Sequence, residues 1–216
     1  MTNISNRKDG FYTIEGKLYP SVTTILKALS KPALIPWACI QGWKIGRKYR
    51  IDSTSQLLQY FRKISDDAKA RGTDSHDLVQ SYFRTGKIPK TESLYKLAFE
   101  NFIKDFKVKP LHIEFIIRSD KYMYAGTGDL HAVVDDNEVV IDFKTNKKAN
   151  IYQEVELQMI AYSNALFEMG LTKTVLPTMV VSLGLDGIYK TKKFEDTNIQ
   201  KFLNVYEVWK WMTKKL

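Results

Sequence analysis

Polar and apolar positions set three different rhythms along the chain. Around Phe11 to Tyr19 short alternation predicts a strand or hairpin, followed by Ser21, which can cap a short helix running to about Leu29. Pro32 and Pro36 then interrupt the pattern, and helical periodicity returns over residues 55–64. Residues 65–108 read as helical. Ser65 with Asp66 and Asp67 makes a plausible helix start, and that helix should stop before Gly86. A second helix carries Leu94, Leu97, Ala98, Phe102 and Phe106 on one face. From residue 110 the period shortens to two. Strands are expected over residues 111–118, 122–125, 128–134 and 138–144, with a turn at Asp135-Asp136-Asn137. A helix over residues 154–168, two strands (175–183 and 188–194) joined at Asp186-Gly187, and a last helix capped by Asp196 or Thr197 complete the order. That order describes an α/β (α+β) sandwich: a mixed central sheet flanked by helices, with an N-terminal helical extension.

Length and composition fit this picture. The chain has 216 residues, 44% hydrophobic and 26% charged, enough for one compact unit with a buried core. Residues 1–64 are expected to form a hairpin and helical extension, and residues 65–216 the core. The net charge is +9, an excess that attracts polyanions through counterion release but that a solvated basic surface also carries. The single cysteine, Cys39, allows no internal disulfide and no four-thiolate cluster. No signal peptide and no membrane-spanning run is visible, so a cytoplasmic setting is expected, in a microbe or for a virus-encoded protein in its host cell.

The chemistry concentrates on Glu138-Val139-Val140-Ile141-Asp142-Phe143-Lys144. In a strand Val139, Ile141 and Phe143 face one way, and Asp142 and Lys144 face the other, side by side. The turn near Asp136 folds the preceding strand back. Asp129 then falls within one or two places of Asp142, depending on loop length. Two carboxylates so close repel unless one protonates or a hard divalent cation sits between them. A plain salt bridge at a strand end is the competing reading. Farther off, His76 lies on a helix just past Gly72. Gln158 and Tyr162 stand at i and i+4 on the helix after the Asp142 strand. Lys44, Arg47 and Lys48 interleave with Trp37, Trp43 and Tyr49. That mixture suits a single-strand channel; the competing reading is a helix face whose aromatics are core and whose charges are solvated.

Taken in order, Gly72-x-x-x-His76, Glu114, Gly126-x-x-Asp129, Asp142-x-Lys144 and Gln158-x-x-x-Tyr162 resemble the RecB-type branch of the PD-(D/E)XK nucleases. The segment Tyr19-Pro20-Ser21-Val22-Thr23-Thr24-Ile25-Leu26, with Trp37 after it, is similar to the opening of the mitochondrial genome maintenance exonuclease and related phage and bacterial exonucleases. The resemblance implies a restriction-endonuclease-like core and a metal-dependent DNA exonuclease acting on single strands or free ends. His76, Asp129, Asp142 and the Phe143 backbone carbonyl would bind Mg²⁺ or Mn²⁺. Glu114 would be a further acidic residue, and Lys144 would orient or activate water and stabilise phosphate charge. Gln158 and Tyr162 would hold the DNA backbone or support the site. Thr145, Lys147, Lys44, Arg47 and Lys48 would lie along the DNA. Asp77 stands where relatives often carry Glu, and the iron–sulfur subtype is ruled out by the cysteine count. Two alternatives remain: a structure-specific endonuclease or resolvase with the same site, and a non-catalytic nucleic-acid-binding module.

Overall fold

A computed structural model describes residues 4–29, 31–32, 34–91 and 93–214, with side chains from residue 8 onward. Residues 1–3 of the expected N-terminal extension lie outside the described residues.

Three short strands, β1 (Ile4–Lys8), β2 (Phe11–Ile14) and β3 (Lys17–Pro20), form a small antiparallel sheet. Tyr12, Ile14 and Tyr19 from it cluster with Ala125 of the main sheet. Ser21 caps α1 (Val22–Ile25) as expected, its Oγ accepting from the Thr24 N–H at 3.1 Å, and a 3₁₀ turn continues to Ala28. Pro36 does not break the chain here. It sits in the first turn of α2 (Leu34–Tyr49), where a backbone N–H has no helical acceptor to lose. No helix begins at Ser65. A single helix, α3 (Thr54–Thr85), passes through residues 64 and 65 and ends on Gly86, whose φ of 70° closes the last turn. The next helix, α4 (Lys96–Asp105), buries Ala98, Phe99 and Phe102. Leu94 and Leu97 are exposed, so its inward face is rotated from the one the sequence suggested.

The main sheet has five strands in the order β4-β5-β6-β7-β8, namely Val108–Ser119, Tyr124–Val134, Asn137–Asn146, Thr178–Gly184 and Tyr189–Phe194. The two strands expected over residues 122–134 are one continuous strand, β5. All neighbours are antiparallel except β6 and β7, which run parallel and are joined through α5 (Val155–Glu168). The last helix is α6 (Gln200–Thr213). On one face Tyr124, Val140 and Val180 pack against Met159 and Leu166 of α5 and Phe202 of α6. On the other, Leu130, Ile141 and Phe143 pack against Leu78 and Phe83 of α3 and Phe99 and Phe102 of α4. The molecule is thus α+β, a mixed sheet between helical layers. Among the described residues no helix is long and apolar enough to cross a membrane.

Two features of the sheet position the site. The β5–β6 turn is a two-residue loop, with Asp135 (φ 44°) and Asp136 (φ 68°) between the paired Val134 and Asn137. Pairing of β5 with β6 runs from there to Leu130↔Ile141. Beyond it β5 pairs with β4, and β6 with β7. A fork therefore opens in the sheet immediately after Leu130 and Ile141. At the same level β4 and β5 exchange faces. Ile117 and Tyr124 pack on the α5–α6 layer, whereas Ile113 and Leu130, an even number of positions away along their strands, pack on the α3–α4 layer. Glu114 lies at this exchange, with a φ of 44°.

Candidate active site in the fork of the sheet

Asp129 and Asp142 are the first residues past the last β5–β6 pair, and the same register carries them opposite each other. With the strands splayed, the Phe143 N–H donates to Asp129 Oδ2 at 2.8 Å instead of to a backbone carbonyl. His76 reaches the fork from α3, its Nδ1 3.5 Å from Asp129 Oδ1. From the opposite layer, Gln158 of α5 donates through Nε2 to Asp142 Oδ1 at 2.9 Å. Lys144, two positions along β6 on the same face, completes the group. Its Nζ lies 2.9 Å from Asp142 Oδ1 and 2.8 Å from Oδ2. It is aligned as a donor only to Oδ1, so the buried Oδ2 has a cation beside it and no hydrogen bond.

Burial and charge together set the electrostatics. The Asp142 side chain is 3% exposed, against 34% for Lys144 and 15% for Asp129. Burial first, and then the Asp142 charge, push Asp129 up from 3.8 to about 6, against the pull of His76, Lys144 and the Phe143 N–H. Burial works to lower the Lys144 ammonium, but the charges of Asp142 and Asp129 outweigh it and hold the group above its ordinary value. The buried Tyr162 hydroxyl is also held well above its usual range, by burial and then by the same two carboxylates.

Other expected residues fall into place less directly. The pairs Ile113↔Leu130 and Phe115↔Gly128 put Glu114 opposite Asp129 in register. Its carboxylate is half exposed, 4.0 Å from Arg84 of α3, and no described contact joins it to Asp129 or Asp142. Gln158 and Tyr162 are buried at 7% and 4% exposure. Gln158 holds Asp142, and the Tyr162 ring lies on β5 at Gly126, where a Cβ would stand 2.6 Å from its Cε1. Of their two expected roles, these contacts are those of support. On α2, Trp37 and Trp43 are 44% and 62% exposed, so the aromatics of that helix are not core. Arg47 stacks over Trp43, and Lys48 over Tyr49.

Two grooves meet beside the fork. The smaller, about 300 Å³, is lined by Lys27 and Lys31 on one wall, and by Lys144, Thr145, Glu154 and Gln158. The larger, about 810 Å³, is lined by Trp37 of α2, Asp67 and Arg71 of α3, and Lys147 and Lys148. Lys44, Arg47 and Lys48 line neither groove. Sequence inspection missed what organises the ground between the grooves. Asn146 Nδ2 donates to the Asn150 carbonyl (2.7 Å) and to Ser182 Oγ (2.9 Å), and its Oδ1 accepts from the N–H groups of Lys148 (3.1 Å) and Asn150 (2.8 Å). The available signal was an asparagine directly after the lysine strand, a residue type that closes turns on its own backbone.

Among the described residues no three histidine, cysteine or acidic side chains already stand together as a metal-holding group. Two carboxylates converge, and the third acid, Glu114, is turned toward Arg84. The donors present nevertheless suit a hard divalent ion: a buried Asp142 oxygen that has only the Lys144 ammonium beside it and no hydrogen bond, and a neighbouring carboxylate whose ionisation burial and like charge oppose.

No family model matches the chain, and no curated protein matches it. Among solved structures the chain is similar to the crystal structure of SSO0001, at 12% identity and a TM-score of 0.40, covering 98% of this chain and 80% of that one.

Proposed function

We propose that this protein is a metal-dependent nuclease with a PD-(D/E)XK-type site, hydrolysing DNA phosphodiester bonds. One observation carries the proposal: the buried Asp142 carboxylate and the partly buried Asp129 carboxylate stand opposite each other in a fork of the sheet, with a lysine ammonium on the first and a histidine on the second. A fold gains nothing in stability from pressing two acids together away from water, and a carboxylate perturbed in the way Asp129 is marks a working site.

Asp129, Asp142 and His76 would hold Mg²⁺ or Mn²⁺, with the Phe143 carbonyl as a further ligand. When bound, the ion would polarise the phosphate and lower the pKa of a coordinated water. The chain's own residues do the rest. Phe143 N–H and Gln158 fix the two carboxylates so that neither can turn away. Lys144, held protonated by the charges of Asp142 and Asp129 in the metal-free site, would orient or activate the attacking water and stabilise charge growing on the phosphate. The lysines of both grooves give a polyanion a path to the fork.

The test is a digestion series on end-labelled single-stranded, duplex and closed circular single-stranded DNA, with Mg²⁺, Mn²⁺ or EDTA. Cleavage that EDTA abolishes is expected. Asp142→Asn, which keeps the shape and an acceptor for Gln158, should lose at least ~100-fold in rate while remaining folded. A folded Asp142→Asn protein cutting at the wild-type rate would overturn the proposal. An exonuclease leaves the circle whole, and an endonuclease or resolvase does not.

A further inference from the structure

Asn146 ties residues 146–150 into a closed loop, and Ser182 Oγ adds a bond to the Asn150 carbonyl at 3.1 Å. Ala149, at φ 50°, is fully buried beneath it. The loop is therefore a fixed ridge. Thr145, Asn146, Asn150 and Tyr152 line both grooves, so the ridge is their common wall. Tyr152, two residues past the loop, is 58% exposed, and it shares the lining of the smaller groove with Lys144. Basic side chains outnumber acidic ones on each side: Lys27, Lys31 and Lys144 against Glu154, and Arg71, Lys147 and Lys148 against Asp67. The Lys31–Glu154 ion pair, at 3.4 Å, bridges two lining residues of the smaller groove and leaves Lys27 exposed beside it.

We propose that Tyr152 is a base-stacking platform: a nucleic-acid strand crosses the ridge with one nucleobase on the Tyr152 ring, its backbone passing from one groove into the other, and Lys27 pairs with a phosphate in the smaller one. The proposal rests on the nuclease reading for its occupant and deepens it. An exposed aromatic ring beside a fixed ridge, flanked by cations on both sides, is what stacking on a strand requires, since every base offers a π-face and every linkage a charge. Sharing the smaller groove with Lys144, the platform would set which linkage reaches the fork.

The test is read in EDTA, so it does not depend on cleavage. Binding of a fluorescently labelled single-stranded oligothymidylate and of an abasic strand of the same length is compared for wild type, Tyr152→Ala, Tyr152→Phe and Lys27→Ala. Tyr152→Ala should weaken oligothymidylate binding about 10-fold, Tyr152→Phe should restore it, and the abasic strand should bind wild type and Tyr152→Ala equally. Lys27→Ala should weaken both strands alike and lower the salt dependence. Equal oligothymidylate binding by wild type and Tyr152→Ala would overturn the platform. So would an equal loss on the abasic strand, or a Tyr152→Phe protein as weak as Tyr152→Ala. Wild-type protein that binds in this pattern but never cleaves with Mg²⁺ or Mn²⁺ would overturn the nuclease reading and leave the platform standing.

Discussion

At the scale of single residues, the site is a set of opposed charges that can be taken apart one at a time. Asp129 binds a proton in the folded state up to about pH 6, whereas in the unfolded chain it releases that proton near 3.8. The folded state therefore holds more protons across that window, and stability falls as pH rises through it. Above the window the ionised carboxylate costs on the order of 2–3 kcal/mol in metal-free protein. Asp129→Asn removes the cost and keeps an acceptor for the Phe143 N–H. In EDTA its Tm should exceed that of wild type by about 5 °C at neutral pH, and the gap should close toward pH 4. Calorimetry across pH checks this, and an unchanged gap would show that Asp129 does not titrate. Adding Mg²⁺ should raise the wild-type Tm and leave Asp129→Asn nearly unmoved. Gln158 gives the opposite sign. Gln158→Leu fills the same space and strips the buried Asp142 oxygen of its neutral donor. A hydrogen bond to a charged group is worth about 1.5–3 kcal/mol, so urea unfolding should report a loss of that order.

At the scale of elements, the fork depends on how closely α5 approaches β5. Tyr162 reaches β5 because position 126 has no side chain: a Cβ there would lie 2.6 Å from one ring carbon and 3.1 Å from another. The ring is buried, so it has no open direction in which to yield. Gly126→Ala should cost ~1–3 kcal/mol through overpacking. In Gly126→Ala/Tyr162→Ala the clash is gone, so the double variant should be less destabilised than the sum of the two single changes by at least ~1 kcal/mol. Denaturant unfolding of all four proteins measures that coupling, and strict additivity would mean that the helix and strand are not in contact there. This contact also marks where sequence legibility ends. Alternation in residues 138–144 made the Asp142–Lys144 pair readable, and the two aspartates of the turn placed Asp129 within a position or two of it. The register became single-valued only with both aspartates at positive φ in a two-residue loop. Glu114 came from the resemblance and not from alternation, and where it points was not legible because β4 and β5 exchange faces at that level. The helix face of α4 was rotated for a related reason: Phe99 sits under Phe83 and Phe143, a contact between distant segments that local spacing does not encode.

At the scale of the whole molecule, the question is how far a net charge of +9 is organised into one track. The groove lysines and Arg71 lie near the fork, whereas Lys44, Arg47 and Lys48 lie farther along α2 and line neither groove. Yet α2 is not a free-standing basic arm. Trp37 packs edge-on to Phe61 of α3, and Tyr49 stacks on Tyr60 at 4.6 Å, so both ends of α2 are moored to the helix that carries His76. Trp37 also lines the larger groove. A strand lying in that groove and continuing along α2 would meet Lys44, Arg47 and Lys48 next, beside the exposed Trp43 ring. On single strands each neutralised phosphate contributes about −0.7 to the slope of log affinity against log salt. Replacing the three basic residues with alanine should therefore make the slope shallower by about 2 on a strand long enough to reach α2, and by nothing on one that ends in the grooves. A fluorescence titration of both strand lengths over a range of salt concentrations separates a continuous track from a dispersed one. If the long strand loses no slope, those three charges are solvated surface and the track ends at Trp37.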